Sequence, residues 1–383
     1  MHTSHGLIKS LRSGPPVSDI FQMFSSHIFP CPKARSAIRL VVLLAFAWNG
    51  LLGIESEPAQ PRSLAELVLL KPESINPEHM ALMNLLCAQG LPGAEALDID
   101  SSLIMIDTMA RRVLQETDRL LPRYWQAPAE YYRSEAYFKM LVLVTVTQQD
   151  FNVHYNPPRI AAPDKPEPSE TFYADSKDVF IHGTVGSRRA GTCASLPVFY
   201  AAIGRRLGYP LKLVTAKAHL FVRWDDGKER LNIEASGRGL SVYPDDHYRT
   251  WPFPMTAAEE KRGYFLKNLT PAEEIAIFLQ TRSQVLVAHK HFAEARKAIK
   301  QAAVFAPHWT DIDGLIMQGI DVAQFGATIT RPPQTDPDIE AEIAYRAVMR
   351  YQIQRGAIQP MPFSGGRVQN PDAVPIFPNP QPP

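Results

Sequence analysis

The stretch GTCASLPVFYAAIGRRLG, residues 191–208, places a cysteine at the entrance to an amphipathic helix, and that placement decides how the chain folds around it. Leu196, Phe199, Tyr200, Ile203 and Leu207 recur at i, i+3, i+4, i+7 and i+11, one apolar stripe of a helix that Gly208 and Pro210 end. Pro197 fits only the first turn, where its missing N–H breaks no hydrogen bond. Cys193 therefore falls at or beside the N-cap and outside the stripe, whereas a structural cysteine belongs within it. The amino end of a helix favours an anion, so a thiolate is stabilised there, and Arg188 and Arg189 add positive charge nearby.

Two strands follow, AHLFVRW (218–224) and ERLNIEA (229–235), joined through DDGK. Asp226-Gly227 signals a hairpin, because a type I′ turn needs positive φ at both central positions. With that pair as the centre of a two-residue turn, or of a four-residue loop Asp225 to Lys228, cross-strand partners have numbers summing to 453. Phe221 then faces Asn232 and His219 faces Glu234, while Leu220, Val222, Leu231 and Ile233 form the other, apolar face. A carboxylate beside a histidine fixes its tautomer and leaves the second ring nitrogen free to take a proton from a thiol. Chain spacing leaves two outcomes open: a Cys193–His219–Glu234 triad, or a His219–Glu234 surface pair on a sheet edge.

The flanking sequence is organised around this block. Residues 63–152 read as helices. Ser63 with Glu66 forms a capping box, Asn76-Pro77 opens a helix that runs to Gly90, residues 101–121 recur at helical spacing up to Pro122, and Ser134 to Gln149 makes a fourth. Residues 155–173 hold five prolines and form a surface loop ahead of a core spanning 175–256. Residues 270–307 contain two helices with Phe292, Ala295, Ile299, Ala302 and Pro307 at the spacing of one tetratricopeptide unit, which must pack on the domain before it. Residues 336–355 make one more helix, and the tail 357–383, with eight prolines and no period, is expected to be disordered.

Near the amino terminus, after a mobile lead (1–36), the segment 37–54 carries the uncharged run LVVLLAFAWNGLLGI, preceded by Lys33, Arg35 and Arg39 and followed by Glu55 and Glu57. It reads as a signal peptide or a membrane anchor, with a buried hydrophobic helix as the plain alternative. A start at Met23 gives a signal peptide a cationic lead of ordinary length. The rest of the chain is then exported, periplasmic or held at the inner membrane, with membrane contact only through 37–54. The formal charge of +1 and the absence of a basic stripe exclude nucleic acid as a partner. Three cysteines without CxxC spacing exclude a disulfide framework.

GTCASLPVFYAAIGRRLGYPLKL, AHLFVRW and LNIEAS together resemble the core blocks of the transglutaminase-like superfamily. The helical pair after it resembles the bacterial branch that couples this core to tetratricopeptide-like repeats. The resemblance covers about residues 175–307 and implies an α+β, cysteine-protease-like fold with an N-terminal helical region. It implies Cys193 as nucleophile, His219 as general base and acid, and Glu234 as orienting acid, where the superfamily usually has aspartate. The implied activity is thiol-dependent acyl hydrolysis or acyl transfer on a peptide or protein amide, or on an ester, with no metal or organic cofactor. The alternative is a non-catalytic exported scaffold that binds a protein or peptide through its tetratricopeptide-like helices.

Other residues carry weaker readings. Gln148, Gln149 and Asn152 are amides that could donate to an oxyanion beside the Cys193 N–H. Zinc held by Cys193, His219 and His182 lacks the paired spacing of such sites. Asp245, Asp246 and His247 read as a loop, either a plain turn or the rim of a cleft. His289 and His291 read as solvated, Trp224 as core, and Trp251 as the interface between the core and the helical repeat. Asn232 reads either as a second polar group at the site or as a partner of a neighbouring loop.

Overall fold

Three of the long helices begin where a short polar side chain takes up an orphan N–H. The computed structural model describes residues 60–159 and 172–325. The lead 1–36, the apolar segment 37–54, the interior of the proline-rich loop, the helix expected at 336–355 and the tail 357–383 lie outside the described residues. Asp98 accepts from Ser101 N to start the longest helix, and Ser134 accepts from Tyr137 N to start another. In chain order the helices are α1 (Leu64–Leu67), α2 (Met80–Ala88), α3 (Ile99–Gln126), α4 (Glu135–Gln149), α5 (Ser176–Val179), α6 (His182–Val185), α7 (Leu196–Arg206), α8 (Asp245–Thr250), α9 (Ala257–Lys261), α10 (Pro271–Ala288), α11 (Phe292–Phe305) and α12 (Thr310–Phe325). The strands are β1 (His154–Tyr155), β2 (Ala190–Gly191), β3 (Leu211–Ala216), β4 (His219–Asp225), β5 (Arg230–Glu234) and β6 (Ser241–Tyr243).

The strands make a parallel β1–β2 pair and a four-stranded antiparallel meander in the order β3-β4-β5-β6. The mixture of helix and sheet is the α+β class expected from the sequence. The described residues from Pro61 onward form one compact unit.

α7 is the central helix. Every residue from Leu196 to Gly204 is buried, so the single stripe seen in the sequence is an incomplete account of a helix covered on all sides. Burial of Val198, Phe199 and Ile203 contributes on the order of 1.5–3 kcal/mol per side chain. Gly204 lets the helix approach the sheet: a Cβ there would stand 2.2 Å from Leu211 Cδ1. Gly208, at φ +72, ends the helix as the sequence indicates.

α3 departs from expectation by running through Pro122 to Gln126. Proline removes one intrahelical bond close to the end of the helix, and the last turn is held by packing of Tyr124 on Tyr131 and Phe138.

The helical pair expected at 270–307 is α10 and α11, opened by a Thr270–Glu273 capping box. It packs on the preceding elements through Arg205 of α7, which reaches Glu274 at 2.5 Å, and through Arg282, which donates to the carbonyls of Cys87 and Gln89. His289 bonds the Ala174 carbonyl at 2.7 Å instead of standing free in solvent. α12 follows directly, an element with no counterpart in the sequence reading.

Candidate active site

The nucleophile candidate sits in a tight turn built on one carbonyl. Thr192 O accepts from Ser195 N at 3.1 Å and Leu196 N at 2.9 Å, so a turn precedes the helix. The N-cap is Ser195, and Cys193 lies two residues earlier, further from the helix end than the sequence suggested. The Ser195 hydroxyl accepts from Thr192 N at 3.0 Å and donates to Asp178 O at 2.7 Å, which Thr192 Oγ1 also reaches at 2.8 Å. Gly191 permits this closeness, since a Cβ there would meet Ser195 Oγ at 2.4 Å.

The buried Asp178 carboxylate anchors the arrangement, accepting from Asn156 Nδ2 and Arg159 Nε at 2.7 Å and from Arg188 Nη2 at 2.5 Å. Arg188 also pairs with Asp175, while Arg189 donates to Val185 O. Both arginines expected beside the sulfur are thus committed elsewhere. Among the described residues no acceptor takes the Cys193 N–H.

His219 is delivered by the turn between β3 and β4. Ala216 pairs with His219, leaving a two-residue Lys217-Ala218 turn with Ala218 at φ 58. The buried Lys217 fastens that turn to Pro254 O at 3.0 Å and to Glu259 at 2.8 Å. His219 Nε2 meets Glu234 Oε2 at 2.8 Å, and the Cys193 side chain is near enough to help raise the pKa of the ring. The imidazole and carboxylate are almost wholly enclosed, at 3% and 4% side-chain exposure, whereas Cys193 is partly open.

The β4–β5 register corrects the sequence reading. Val222 pairs with Ile233, Arg223 with Asn232 and Asp225 with Arg230, two residues on from the expected alignment. Continuing that register sets Phe221 opposite Glu234 and leaves His219 diagonal to it. A shift of two preserves the faces, so the imidazole and carboxylate still share one side. The longer glutamate side chain spans the diagonal.

Every acceptor direction of Glu234 is used. Oε1 accepts from Ser236 N at 3.0 Å and from the Ser236 hydroxyl, and Oε2 accepts from Tyr248 OH at 3.2 Å as well as from the imidazole. Burial opposes the charged carboxylate, but His219 and these donors outweigh it and hold the group below its ordinary range. Burial likewise opposes the imidazolium, yet the charge of Glu234 and the Cys193 sulfur raise His219 above the usual histidine value. The histidine and the acid together favour an imidazolium–carboxylate pair beside Cys193.

Aromatic rings close the remaining side. Tyr248 stacks on Phe221 at 3.9 Å, and the edge-on Trp251 ring lies 4.6 Å from His219, which makes Trp251 a wall of the site. His247 is stacked between Tyr243 and Trp251, so the expected Asp245–His247 loop is the short helix α8. Burial depresses the His247 pKa. Asp245 accepts from the buried Arg223 at 2.6 Å and from Asn232 at 2.8 Å, so Asn232 serves the start of α8 where a loop was expected. Trp224 is buried against Tyr209, as the core reading had it.

Of the amide donors considered for an oxyanion, Gln148 spends its N–H groups on Tyr200 OH and Gly237 O, and Gln149 lines a groove with Arg112, Glu116 and Asp150. The Asn152 carbonyl bonds His154 Nδ1 at 2.7 Å. His182 bonds Ser176 Oγ at 3.2 Å, and no cluster of three or more metal-ligating side chains occurs among the described residues. Ser236 and Tyr248 were missed by sequence reasoning. Ser236 stands two residues beyond Glu234, a spacing that offered a local signal, but nothing local points to Tyr248. Comparison with protein-family models, curated proteins and solved structures finds no match to this chain.

Proposed function

We propose that the chain is a thiol-dependent acyl hydrolase or acyltransferase with a transglutaminase-like, cysteine-protease-like core. The observation that carries this reading is an enclosed imidazole with a carboxylate 2.8 Å away and a partly open sulfur within its electrostatic reach. Cys193 Sγ, as thiolate, attacks the carbonyl carbon of an amide or ester, and the negative charge collects on the carbonyl oxygen. The Cys193 N–H, with no acceptor of its own among the described residues, is placed to donate to that oxygen. The imidazolium gives its proton to the departing amine or alcohol as the bond to carbon breaks, leaving a thioester. His219 then takes a proton from water or an acceptor amine, whose attack on the thioester releases the acyl product and restores the thiolate. Glu234 keeps the ring oriented and balances its charge throughout.

The peptide or protein amide substrate, a protein partner at the tetratricopeptide-like helices and export through the 37–54 segment belong to the same proposal. No described helix is long and apolar enough to cross a membrane. Alkylation by iodoacetamide at neutral pH, read by peptide mass spectrometry, tests the site. Cys193 is expected to react faster than a free thiol peptide and to lose that advantage in His219→Ala. Cys87, buried and pushed up to about 12 by desolvation, is the slow internal control. Alkylation of Cys193 at the rate of the free peptide refutes the enzyme and leaves the scaffold.

A further inference from the structure

We propose that Gln148 is a positioning residue for the acid of this site: its side-chain amide fastens the Ser236–Gly239 loop, and with it Glu234, to Tyr200 on the helix that follows Cys193. The inference rests on the acyl-transfer reading and adds a residue to it.

Glu234 is the last residue of β5, and half of its hydrogen bonding comes from Ser236, which already lies beyond the strand. The carboxylate is therefore only as well placed as the loop that follows. That loop carries exposed Arg238 and Gly239, the latter at φ +72, and continues to β6 at Ser241. A free loop of this kind would let the serine, and then the carboxylate, drift from the imidazole.

Gln148 stands in the last turn of α4, far away in sequence, and closes the loop from outside. Its Nε2 donates to Gly237 O at 3.0 Å and its Oε1 accepts from Gly239 N at 2.8 Å, so one amide grips both ends of a three-residue segment. The second Nε2 hydrogen goes to Tyr200 OH at 3.0 Å. Tyr200 is buried in the middle of α7, and its hydroxyl feels the Glu234 charge. A primary amide has two donors and one acceptor group, and all are used here in three directions. The acid loop and the nucleophile's helix are thereby referenced to one point, which is the requirement for holding two reacting groups in register.

The experiment is Cys193 alkylation by iodoacetamide on the full chain from about pH 5 to about pH 11, a range that takes in both ordinary histidine titration and the raised His219 value of about 10. It compares the wild type, Gln148→Leu, Glu234→Gln and the double variant, with circular dichroism confirming the fold. Gln148→Leu is expected to slow alkylation at neutral pH roughly ten- to hundredfold and to change its pH profile in the direction that Glu234→Gln does. In the Glu234→Gln background the same substitution should have little further effect, which a general loss of packing would not reproduce. Tyr200→Phe, which removes a single hydroxyl, is the milder variant if leucine unsettles the fold, and should shift the profile the same way by less. Fast wild-type alkylation with an unchanged Gln148→Leu profile, or equal losses in both backgrounds, overturns the proposal alone. Wild-type Cys193 reacting like a free peptide overturns the acyl-transfer reading and this inference with it.

Discussion

Shortening Glu234 to aspartate should disable the site, even though aspartate is the acid usual in the superfamily that the sequence resembles. The β4–β5 register puts Glu234 diagonal to His219, and diagonal neighbours stand about 7–8 Å apart at Cα. Glutamate closes that distance to a 2.8 Å hydrogen bond. Removing one methylene withdraws the carboxylate by about 1.3 Å, leaving about 4 Å to the imidazole, beyond hydrogen-bonding range. A charge-assisted hydrogen bond contributes about 1.5–3 kcal/mol, which is roughly ten- to hundredfold in the population of the reactive pair. The assay is the second-order rate constant for iodoacetamide at Cys193 from about pH 5 to about pH 11, which takes in the ordinary histidine range and the raised His219 value of about 10, with thermal denaturation in parallel. Glu234→Asp should lose roughly that factor at neutral pH while still melting cooperatively, its carboxylate retaining Ser236 as a partner. An aspartate variant that reacts as fast as wild type, with the same pH profile, would refute the diagonal geometry.

Other perturbations follow from the same contacts. Ser195→Ala should cost about 1–3 kcal/mol in urea denaturation and slow Cys193 alkylation, because it strands the buried Thr192 N–H and removes one of the two hydrogen bonds that tie the turn to Asp178 O. Glu274→Gln should destabilise by about 3–5 kcal/mol, since Arg205 would remain enclosed without its counter-ion, and Arg205→Met in the same chain should recover part of the loss. His182 is held neutral by burial, with its pKa lowered to about 4, so its contribution is present above the unfolded value and is lost as pH falls from about 6.5 towards 4. That loss amounts to about 3 kcal/mol at the acid end, and a pH series of denaturation curves for His182→Asn should be flatter over the same window.

Local signals in the sequence were enough for the elements that hold the site. The Gly208 stop and Pro197 in the first turn act within a few residues and appear where they were read, and the hairpin forms between the expected strands with its loop one residue further along. The shared face of His219 and Glu234 was legible because alternation survives any even shift of register. The register itself was not. Asp226 Oδ1 captures both Lys228 N at 2.8 Å and Glu229 N at 2.7 Å, drawing Glu229 out of the strand and into a loop of Asp226 to Glu229. The charges of Arg188 and Arg189 pointed to the sulfur only because their partners, Asp175, Asp178 and Val185, act through the tertiary fold. Trp251 and Tyr248 reach the imidazole and its acid through a helix whose packing no periodicity announces. Gln148 lies 89 residues from the loop carbonyl it grips, and such a contact is written in the fold alone.

The central claim is that Cys193 carries an acyl group and gives it up with the help of His219. Rapid mixing of the full chain with p-nitrophenyl acetate, followed by intact-protein and peptide mass spectrometry, tests it most directly. The expected result is a burst of nitrophenolate matched to the amount of protein and an acetyl group on Cys193 that decays with time, both lost in Cys193→Ala. In His219→Ala the burst should slow sharply. Absence of the burst, or acetylation spread over surface lysines with Cys193 untouched, would contradict the account.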